Sequence, residues 1–517
     1  MIPVLTPAEM KAVDETAAAG TEILVSRAGA AVARAALRMM GGGYGRRVVV
    51  VAGKGNNGAD GRVAAERLRR AGVRVTVVEA AGSDAAGVPG TEAAGASGIE
   101  SAGASGTSIR AGASAGDAAI GSGTAARLKL PPCDLMIDAA YGTGFRGEYE
   151  APDPGGAPVL AVDIPSGVDG LTGEAGRDAV SADLTITFAA LKPGLLLGAG
   201  RERAGRVEVV DIGLSVEDCS MHVVEDADVA RFLPPRSRDA HKWNAAVFVA
   251  AGSPGMTGAP RLVGRGAFRA GAGTVRLGVP GALLEDLPPS EAVGIALPDE
   301  DWAVTVLEAA SRCKAIVVGP GLGRADIALA EVRRLVAKSP VPLVVDADAL
   351  GVFADAADVP LAKSPLVLTP HDGEFERLFG SKPGGDRIGD VRTLAERTGA
   401  TVLLKGPTTV VASPDGEVLL SASGSSRLAT AGSGDVLAGV VGAFLAQGLA
   451  PLEAAALAAH AHGAAASLGY EHGLLAGDLP ELIARWLSEL NSGDQSTLRV
   501  HSGRKSPAMY SQSRWFG

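Results

Sequence analysis

The chain has 517 residues, enough for two ordinary domains or three, with 47% hydrophobic and 21% charged residues, the balance of a soluble globular protein. A net charge of −10 excludes nucleic acid as the main partner, because affinity for a phosphate backbone needs clustered Lys and Arg; a small anionic ligand needs only a local positive potential. Cys133, Cys219 and Cys313 are scattered without a CxxC pair or a Cys/His ligand spacing, so neither a disulfide framework nor a zinc site is expected. Met1–Thr6 lacks a basic segment followed by an apolar run, and no stretch approaches the ~20 apolar residues of a membrane helix. The expectation is a cytoplasmic protein with no membrane partner.

In chain order, Val48–Ala52, Val73–Val78, Leu135–Ile137, Val159–Val162 and Leu184–Phe188 read as buried strands, and segments such as Arg62–Arg70 carry helical spacing between them. From about Ala80 to Ala126 the chain is nearly all Ala, Gly and Ser. Such a stretch buries too little surface to offset its ordering entropy, so a disordered insertion is expected. Periodicity breaks near Ser215–Pro235, the expected domain junction, which divides residues 1–216 from 225–490. The second half repeats the style with Ala246–Ala250, Ile316–Val318, Leu343–Val345, Leu366–Leu368 and Val402–Leu404, and residues 491–517 read as a flexible tail. Strands alternating with helices predict an α/β protein with two domains of parallel sheet covered on both faces. Ligands in such folds gather at the carboxyl ends of strands.

Three loops follow strands of the first half. Gly53-Lys54-Gly55-Asn56-Asn57-Gly58-Ala59-Asp60-Gly61 lets the backbone approach a ligand and opens a helix whose start favours an anion, or it is simply a glycine-rich turn. The second is Asp138-Ala139-Ala140-Tyr141-Gly142-Thr143-Gly144-Phe145-Arg146-Gly147, and the third Asp163-Ile164-Pro165-Ser166-Gly167-Val168-Asp169-Gly170. Together they offer the hard oxygens of Asn57, Asp138, Ser166 and Asp163, suited to an alkali or alkaline-earth cation. NNGADG, DAAYGTGFRG and DIPSGVDG, with Met10, Asp14 and Arg27-Ala28-Gly29 before them, resemble the YjeF N-terminal family of NAD(P)H-hydrate epimerases, over about Leu5 to Leu214 apart from the insertion. The resemblance implies a Rossmann-like three-layer α/β/α domain, K⁺ on Asn57, Asp138 and Ser166, and substrate along Asn56, Asn57, Gly58, Ala59 and Asp60. It extends the substrate site over Gly142, Thr143, Gly144, Phe145, Arg146, Gly147, Glu148 and Asp163. Asp163 would be the acid/base residue and Lys192 a helper, although Lys192 reads equally well as a surface-loop lysine. Ala59 stands where that family usually has glycine, and Ser26-Arg27 where it has Met-Glu.

In the second half, Ala429-Thr430-Ala431-Gly432-Ser433-Gly434-Asp435 runs into an apolar helix at Val436–Ala446, so its amides form an anion hole. Asp435 can accept a proton from a hydroxyl attacking phosphorus; otherwise it only complements the helix dipole, worth ~0.3–1 kcal/mol. Lys405-Gly406-Pro407-Thr408-Thr409 brings a lysine and hydroxyls toward nucleotide phosphates. His371, beside Pro370 and Glu374 at a strand end, is a ligand contact or a structural histidine. His460 and His462, two apart on a helix of small residues, cannot share a metal on one face and are read as structural. His241-Lys242-Trp243, AGS, GPGLG, DADAL, LTPH, LLKG and ATAGSGD resemble the ribokinase-like NAD(P)H-hydrate dehydratases from about His241 to Trp486. That implies a ribokinase-like α/β/α domain with ADP as co-substrate and Mg²⁺ on its phosphates. The hydrate would touch Ala259, Gly321, Gly323, His371 and Asp435, and the nucleotide Lys405–Thr409 and Gly434. Gly424–Leu428 departs from the usual Asn-containing loop. The whole would repair hydrated NADH and NADPH as a homo-oligomer. The competing readings are a ribokinase-like kinase of a vitamin precursor, which would leave a stable phosphorylated product, and a non-catalytic nucleotide-binding scaffold, which would bind without turnover.

Overall fold

The computed structural model describes residues 1–80, 128–216, 218–287, 290–491 and 510–513. Most of the expected Ala/Gly/Ser insertion lies outside these residues. The elements of the first part are β1 (Ile2–Pro3), α1 (Pro7–Glu15), α2 (Thr21–Met40), β2 (Arg47–Ala52), α3 (Asn56–Arg70), β3 (Arg74–Glu79), β4 (Leu135–Ala139), β5 (Val159–Val162), β6 (Leu184–Phe188), α4 (Gly198–Arg203) and β7 (Arg206–Val210). Then come β8 (Met221–Val223), α5 (Asp226–Phe232), β9 (Ala246–Ala250), α6 (Gly258–Arg269), β10 (Thr274–Pro280), β11 (Val293–Leu297), α7 (Trp302–Ala309), β12 (Ala315–Val318), α8 (Asp326–Lys338), β13 (Leu343–Val345) and β14 (Leu366–Leu368). The series ends with α9 (Asp372–Phe379), α10 (Arg387–Thr398), β15 (Thr401–Leu404), β16 (Thr409–Ala412), β17 (Val418–Ser421), α11 (Ser433–Ala446), α12 (Pro451–Ala466), α13 (Leu479–Asn491) and β18 (Tyr510–Ser513). The chain forms two compact units, one built on Pro3–Asp218 with β18, the other on Met1–Ile2 and the described chain from Cys219 to Asn491.

The first unit holds a parallel sheet in the order β3-β2-β4-β5-β6-β7-β18. Strands β4, β5 and β6 are buried at every position, as a sheet covered on both faces requires, Asp138, Thr185 and Thr187 included. Strand order reverses at β2, so the chain leaves β2 and β4 toward opposite neighbours and opens a crevice at their carboxyl ends. Residues 510–513, expected to be part of a loose tail, form an edge strand against β7, since backbone pairing at an edge asks little of side-chain composition.

The second unit's sheet runs β1-β8-β17-β16-β15-β14-β13-β12-β9-β10-β11. From β11 to β15 the pairing is parallel, and the β16–β17 hairpin is antiparallel. The switch point lies between β9 and β12. Register levels Val318 with Ala250 and Val345, and Val345 with Leu368, so Ala251, Gly319, Asp346 and Thr369 all emerge at one edge. Helix α11 is apolar on every side and buried from Val436 to Ala446, which makes it the central helix of this unit. It approaches α6 backbone to backbone: a β-carbon on Gly266 would lie 2.5 Å from the Val436 carbonyl oxygen, and one on Gly439 would collide with that of Val263. Gly439→Ala forces these helices apart and should lower the unit's stability by about 1–3 kcal/mol. Denaturant unfolding followed through the tryptophans checks this, and an unchanged midpoint would contradict the close approach.

Two candidate active sites

At the first unit's switch point, Gly53 and Gly58 permit what no other residue could: a β-carbon at either would collide with the carbonyl oxygen of Ala140 or of Gly53. Helix α3 begins at Asn56 behind an extended Gly55, so Asn56–Asp60 is the first helical turn rather than the loop expected from sequence. That turn exposes Asn56 and buries Asn57, Gly58 and Asp60. Asn57 Nδ2 donates to the carbonyl oxygens of Tyr141 (2.8 Å) and Val162 (3.0 Å), tying three strand ends together. Asp138, 1% exposed, accepts from the Ser166 hydroxyl (2.7 Å) and amide (2.8 Å), and the Tyr141 amide donates to Ser166 Oγ (2.9 Å). Burial pushes the Asp138 carboxyl up to about 6, with the Ser166 and Ala140 bonds holding it back. Asn57, Asp138 and Ser166 thus lie together at these strand ends.

Asp163 follows β5 with φ +68°, a conformation L side chains rarely adopt and a strain characteristic of sites. Its Oδ1 accepts from Lys192 Nζ (2.7 Å) and Thr187 Oγ1 (3.1 Å), and a β-carbon on Gly142 would be 3.5 Å from its Oδ2. Lys192 is only 1% exposed and also donates to Thr187 Oγ1 (2.8 Å) and the Phe188 carbonyl (3.0 Å), so the surface-loop alternative falls. The Asp60 carboxyl is pushed up to about 8 by burial, then by Asp163 and Asp14. Within Gly142–Glu148, Phe145 is buried against Tyr141 (ring centroids 4.7 Å apart), Arg146 pairs with Asp169 (3.3 Å), and Gly144, Gly147 and Glu148 are exposed. Thr187 and Asp14 escaped the sequence reading of the site. Thr187 alternates inside a buried strand and looks like core.

In the second unit, α11 starts at Ser433 behind a left-handed Gly432 (φ +89°), three residues earlier than expected, so Gly434 and Asp435 lie within its first turn. Lys405 Nζ lies 2.5 Å from Asp346 Oδ1 and about a contact distance, 3.5 Å, from where a β-carbon on Gly434 would be. Asp346 is 1% exposed and follows β13. For Lys405, burial acts to lower the pKa but is outweighed by Asp346, Glu374 and Asp435, which hold it above the ordinary lysine value. Asp435 is pushed up to about 7 by burial and by Asp346, with Lys405 opposing. Burial and Asp346 also raise the Glu374 carboxyl against Lys405.

Gly319 (φ +128°) passes against the Asp346 carbonyl, and a β-carbon on Gly321 (φ +70°) would be 3.2 Å from Ala259 Cβ, so Ala259 and Gly321 face each other across the switch point. Gly323 donates its amide to Asp348 Oδ2 (3.0 Å). His371 caps α9: its Nδ1 accepts from the amides of Gly373 (3.0 Å) and Glu374 (3.2 Å), while the ring stays exposed. Its Nδ1 is therefore committed to the backbone, and Nε2, 3.4 Å from Glu374 Oε1, is the ring nitrogen left for a ligand. Beyond Lys405, Gly406 and Pro407 turn into buried Thr408 and Thr409, and Gly424 lies 2.5 Å, measured from a β-carbon, from the Pro407 carbonyl. The divergent loop is fastened by Arg427, which donates to the Ser467 carbonyl (2.9 Å). Arg387, unflagged by sequence, donates to the Lys405 carbonyl (3.0 Å) and to Asp372 Oδ1 (2.5 Å). Its position at the start of α10 gave no signal. Asp346 and Asp348 stood in the DADAL motif, where emergence at a strand end could have marked them, and Glu374 was named beside His371.

Residues 21–194 match the family model described as YjeF-related protein N-terminus, and residues 247–488 the model described as NAD(P)H-hydrate dehydratase. The bifunctional NAD(P)H-hydrate repair enzyme of Salinibacter ruber is 39% identical over 486 residues, 86% of this chain and 87% of its own. That of Moorella thermoacetica is 33% identical, covering 97% of this chain and 99% of its own. Among solved structures, the ADP/ATP-dependent NAD(P)H-hydrate dehydratase of Bacillus subtilis, co-crystallised with ATP and Mg²⁺, is 29% identical, covers 52% of this chain and 97% of its own, and superposes with a TM-score of 0.45. With a relative of this identity matched along most of its length and both halves matched by their own models, the chain belongs to the bifunctional NAD(P)H-hydrate repair enzymes.

Proposed function

We propose that the first unit interconverts the R and S hydrates of NADH and NADPH, and that the second dehydrates the S hydrate with ADP, yielding the reduced nucleotide, AMP and phosphate. The observation that carries the second assignment is a single turn: Asp435 stands in the first turn of α11 behind Gly432, with the Lys405 ammonium beside Gly434. Amides and helix dipole at that start bind a phosphoryl group, and Lys405 adds a positive charge. Asp435 takes the proton of the ring hydroxyl as its oxygen attacks the terminal phosphorus, and the bond to AMP breaks. The carbon–oxygen bond then breaks and phosphate leaves, and the neighbouring ring carbon gives up a proton to water, so the ring double bond returns. Asp346, Asp348, Glu374 and Asp435 outnumber the lysine, a donor set that fits Mg²⁺ held by the nucleotide's phosphates and one or two carboxylates. The ion would supply charge neutralisation on those phosphates.

In the first unit, Asp163 moves the proton at the hydroxyl-bearing carbon's side of the ring, and Lys192 fixes its Oδ1 so that Oδ2 faces the crevice beside Gly142 and Asn57. The oxygens of Asn57, Asp138 and Ser166 fit K⁺: Asp138 is a fully buried carboxylate whose partners are a hydroxyl and amides rather than a cation. Such an ion would neutralise Asp138 and draw the substrate's phosphates to the α3 start.

Asp435→Asn should reduce dehydration by on the order of 100- to 10,000-fold while epimer exchange continues; Asp163→Asn should do the reverse. Both are read with mixed hydrates, Mg²⁺ and ADP, by the returning absorbance of the reduced nucleotide, by AMP and phosphate release, and by chromatography of the epimers. A stable phosphorylated product in place of free phosphate would overturn the dehydratase in favour of a kinase. Because Asp435 titrates near 7 and acts ionised, dehydration should fall as pH drops through about 7. Lys405 favours the ionised form of Asp435, so Lys405→Met should move that acidic limb to higher pH as well as weaken ADP binding. A pH–rate profile with its limb unmoved would separate the two residues.

A further inference from the structure

Strand β2, helix α3 and strand β3 form one β–α–β unit. The turn inside it reads Gly53-Lys54-Gly55-Asn56-Asn57-Gly58, three glycines at the G-x-G-x-x-G spacing of dinucleotide-binding turns. The geometry bears the spacing out: neither Gly53 nor Gly58 has room for a β-carbon, and Gly55 is the extended residue from which α3 begins. In such units an acidic residue about twenty positions further on, at the end of the second strand, meets the hydroxyls of the ribose next to adenine. Here β3 ends in Glu79.

Glu79 is level with Ala52 in the ladder, so it emerges at the same edge of the sheet as the glycine turn. Arg62 donates to its carboxylate (2.6 Å) and also to the Gly53 carbonyl (2.9 Å). Arg62 belongs to the second turn of α3, yet helical side chains lean toward the N-terminus, which brings its charge back to the turn. Both side chains are open to solvent, Arg62 at 39% and Glu79 at 52%, so a ligand can reach them. The order β3-β2-β4-β5 sets Glu79 and Asp163 on opposite flanks of the glycine turn, three strand spacings or roughly 14 Å apart. A dinucleotide stretched along that edge, its ring at Asp163 and its phosphates at the start of α3, carries its far ribose to Glu79.

We propose that Glu79 and Arg62 form the adenosine-ribose subsite of the first unit and set its choice between the hydrates of NADH and NADPH. The proposal rests on the epimerase reading above. The NADH hydrate presents two free hydroxyls at this ribose, and the Glu79 carboxylate accepts from them while Arg62 stays paired. The NADPH hydrate carries a 2′-phosphate there, which repels Glu79 but matches the planar fork of a guanidinium. Arg62 then turns from the carboxylate to the phosphate. One exposed pair serves both dinucleotides, because the guanidinium exchanges one anion for another without being unburied.

The test uses the full-length protein without ADP, so that only epimer exchange is read, starting from the separated R hydrate of NADH or of NADPH and following the S epimer by chromatography. The quantity of interest is kcat/KM for the NADPH hydrate divided by that for the NADH hydrate. Arg62→Met should lower this ratio about tenfold or more, the scale of a lost hydrogen bond between charged groups. Glu79→Gln, which removes the repulsion and frees Arg62, should raise it severalfold. Shifts of opposite sign cannot come from damage to the fold, which slows both hydrates alike. A ratio within about twofold of wild type in both variants, or an equal loss with both hydrates, would overturn the subsite and leave the epimerase standing. Wild-type protein that exchanges neither hydrate would sink the epimerase reading and the subsite with it.

Discussion

Each crevice is organised by one lysine held against one strand-end aspartate, with further carboxyls crowded around the pair. In the first unit Lys192 holds Asp163, and Asp60 and Asp14 press against it. In the second Lys405 holds Asp346, and Asp435 and Glu374 press against it. Lys192 and Asp346 are nearly inaccessible to water, and a charge so placed needs its partner: removing one member of a buried pair typically costs about 3–5 kcal/mol. One ammonium neutralises one carboxylate. Burial first, and then the neighbouring carboxylates, drive the remaining acids toward holding protons at neutral pH, Asp435 to about 7 and Asp60 to about 8. A group that titrates near the working pH can accept a proton, which is what deprotonation of an alcohol demands of Asp435.

The scaffold around these pairs is made tight by glycine. Strand-to-helix turns bring Gly53, Gly58 and Gly319 so near to neighbouring carbonyls that no β-carbon could enter, and α11 reaches the sheet only because Gly439 and Gly266 let it lie on α6. Such closeness has a consequence for the sites. The loops bearing Asp138, Asp163 and Asp346 have little freedom to relax, so the carboxyls stay crowded. Positive φ at Asp163 and at Ala347, next to Asp346, places backbone strain at the same two strand ends.

Much of this was legible in the sequence, and the failures have physical causes. Runs such as Val48–Ala52 and Ala246–Ala250 announce fully buried parallel strands, and glycine-rich loops directly after them announce the crevices. Strand β10 escaped because Arg276 and Gly278 interrupt its apolar run; Arg276 instead sends its guanidinium to the Ala309 carbonyl (2.8 Å). The β16–β17 hairpin was not read from the sequence either. Helix starts were placed too late at Arg62 and Val436, since glycines in a first turn look like loop until a left-handed or extended residue such as Gly432 is seen capping them. The pairings Lys192–Asp163 and Lys405–Asp346 span 29 and 59 residues, and nothing local in the sequence announces either. Lys192 looked like a loop lysine because a loop is where it is; only the fold turns it inward.

The division of the chain then follows from where these groups reside. Asn57, Asp60, Asp138, Asp163, Ser166 and Lys192 all belong to the unit built on Pro3–Asp218, and Ala259, Asp346, His371, Lys405 and Asp435 all to the other. The residues assigned to each reaction thus lie within a single unit. What joins them is the intermediate: a dehydratase that takes one hydrate epimer leaves the other behind, and exchange in the first unit returns that remainder to the pool the second consumes. A chemical link of this kind requires only that the two activities be made together, and a single chain carrying two self-sufficient units secures that.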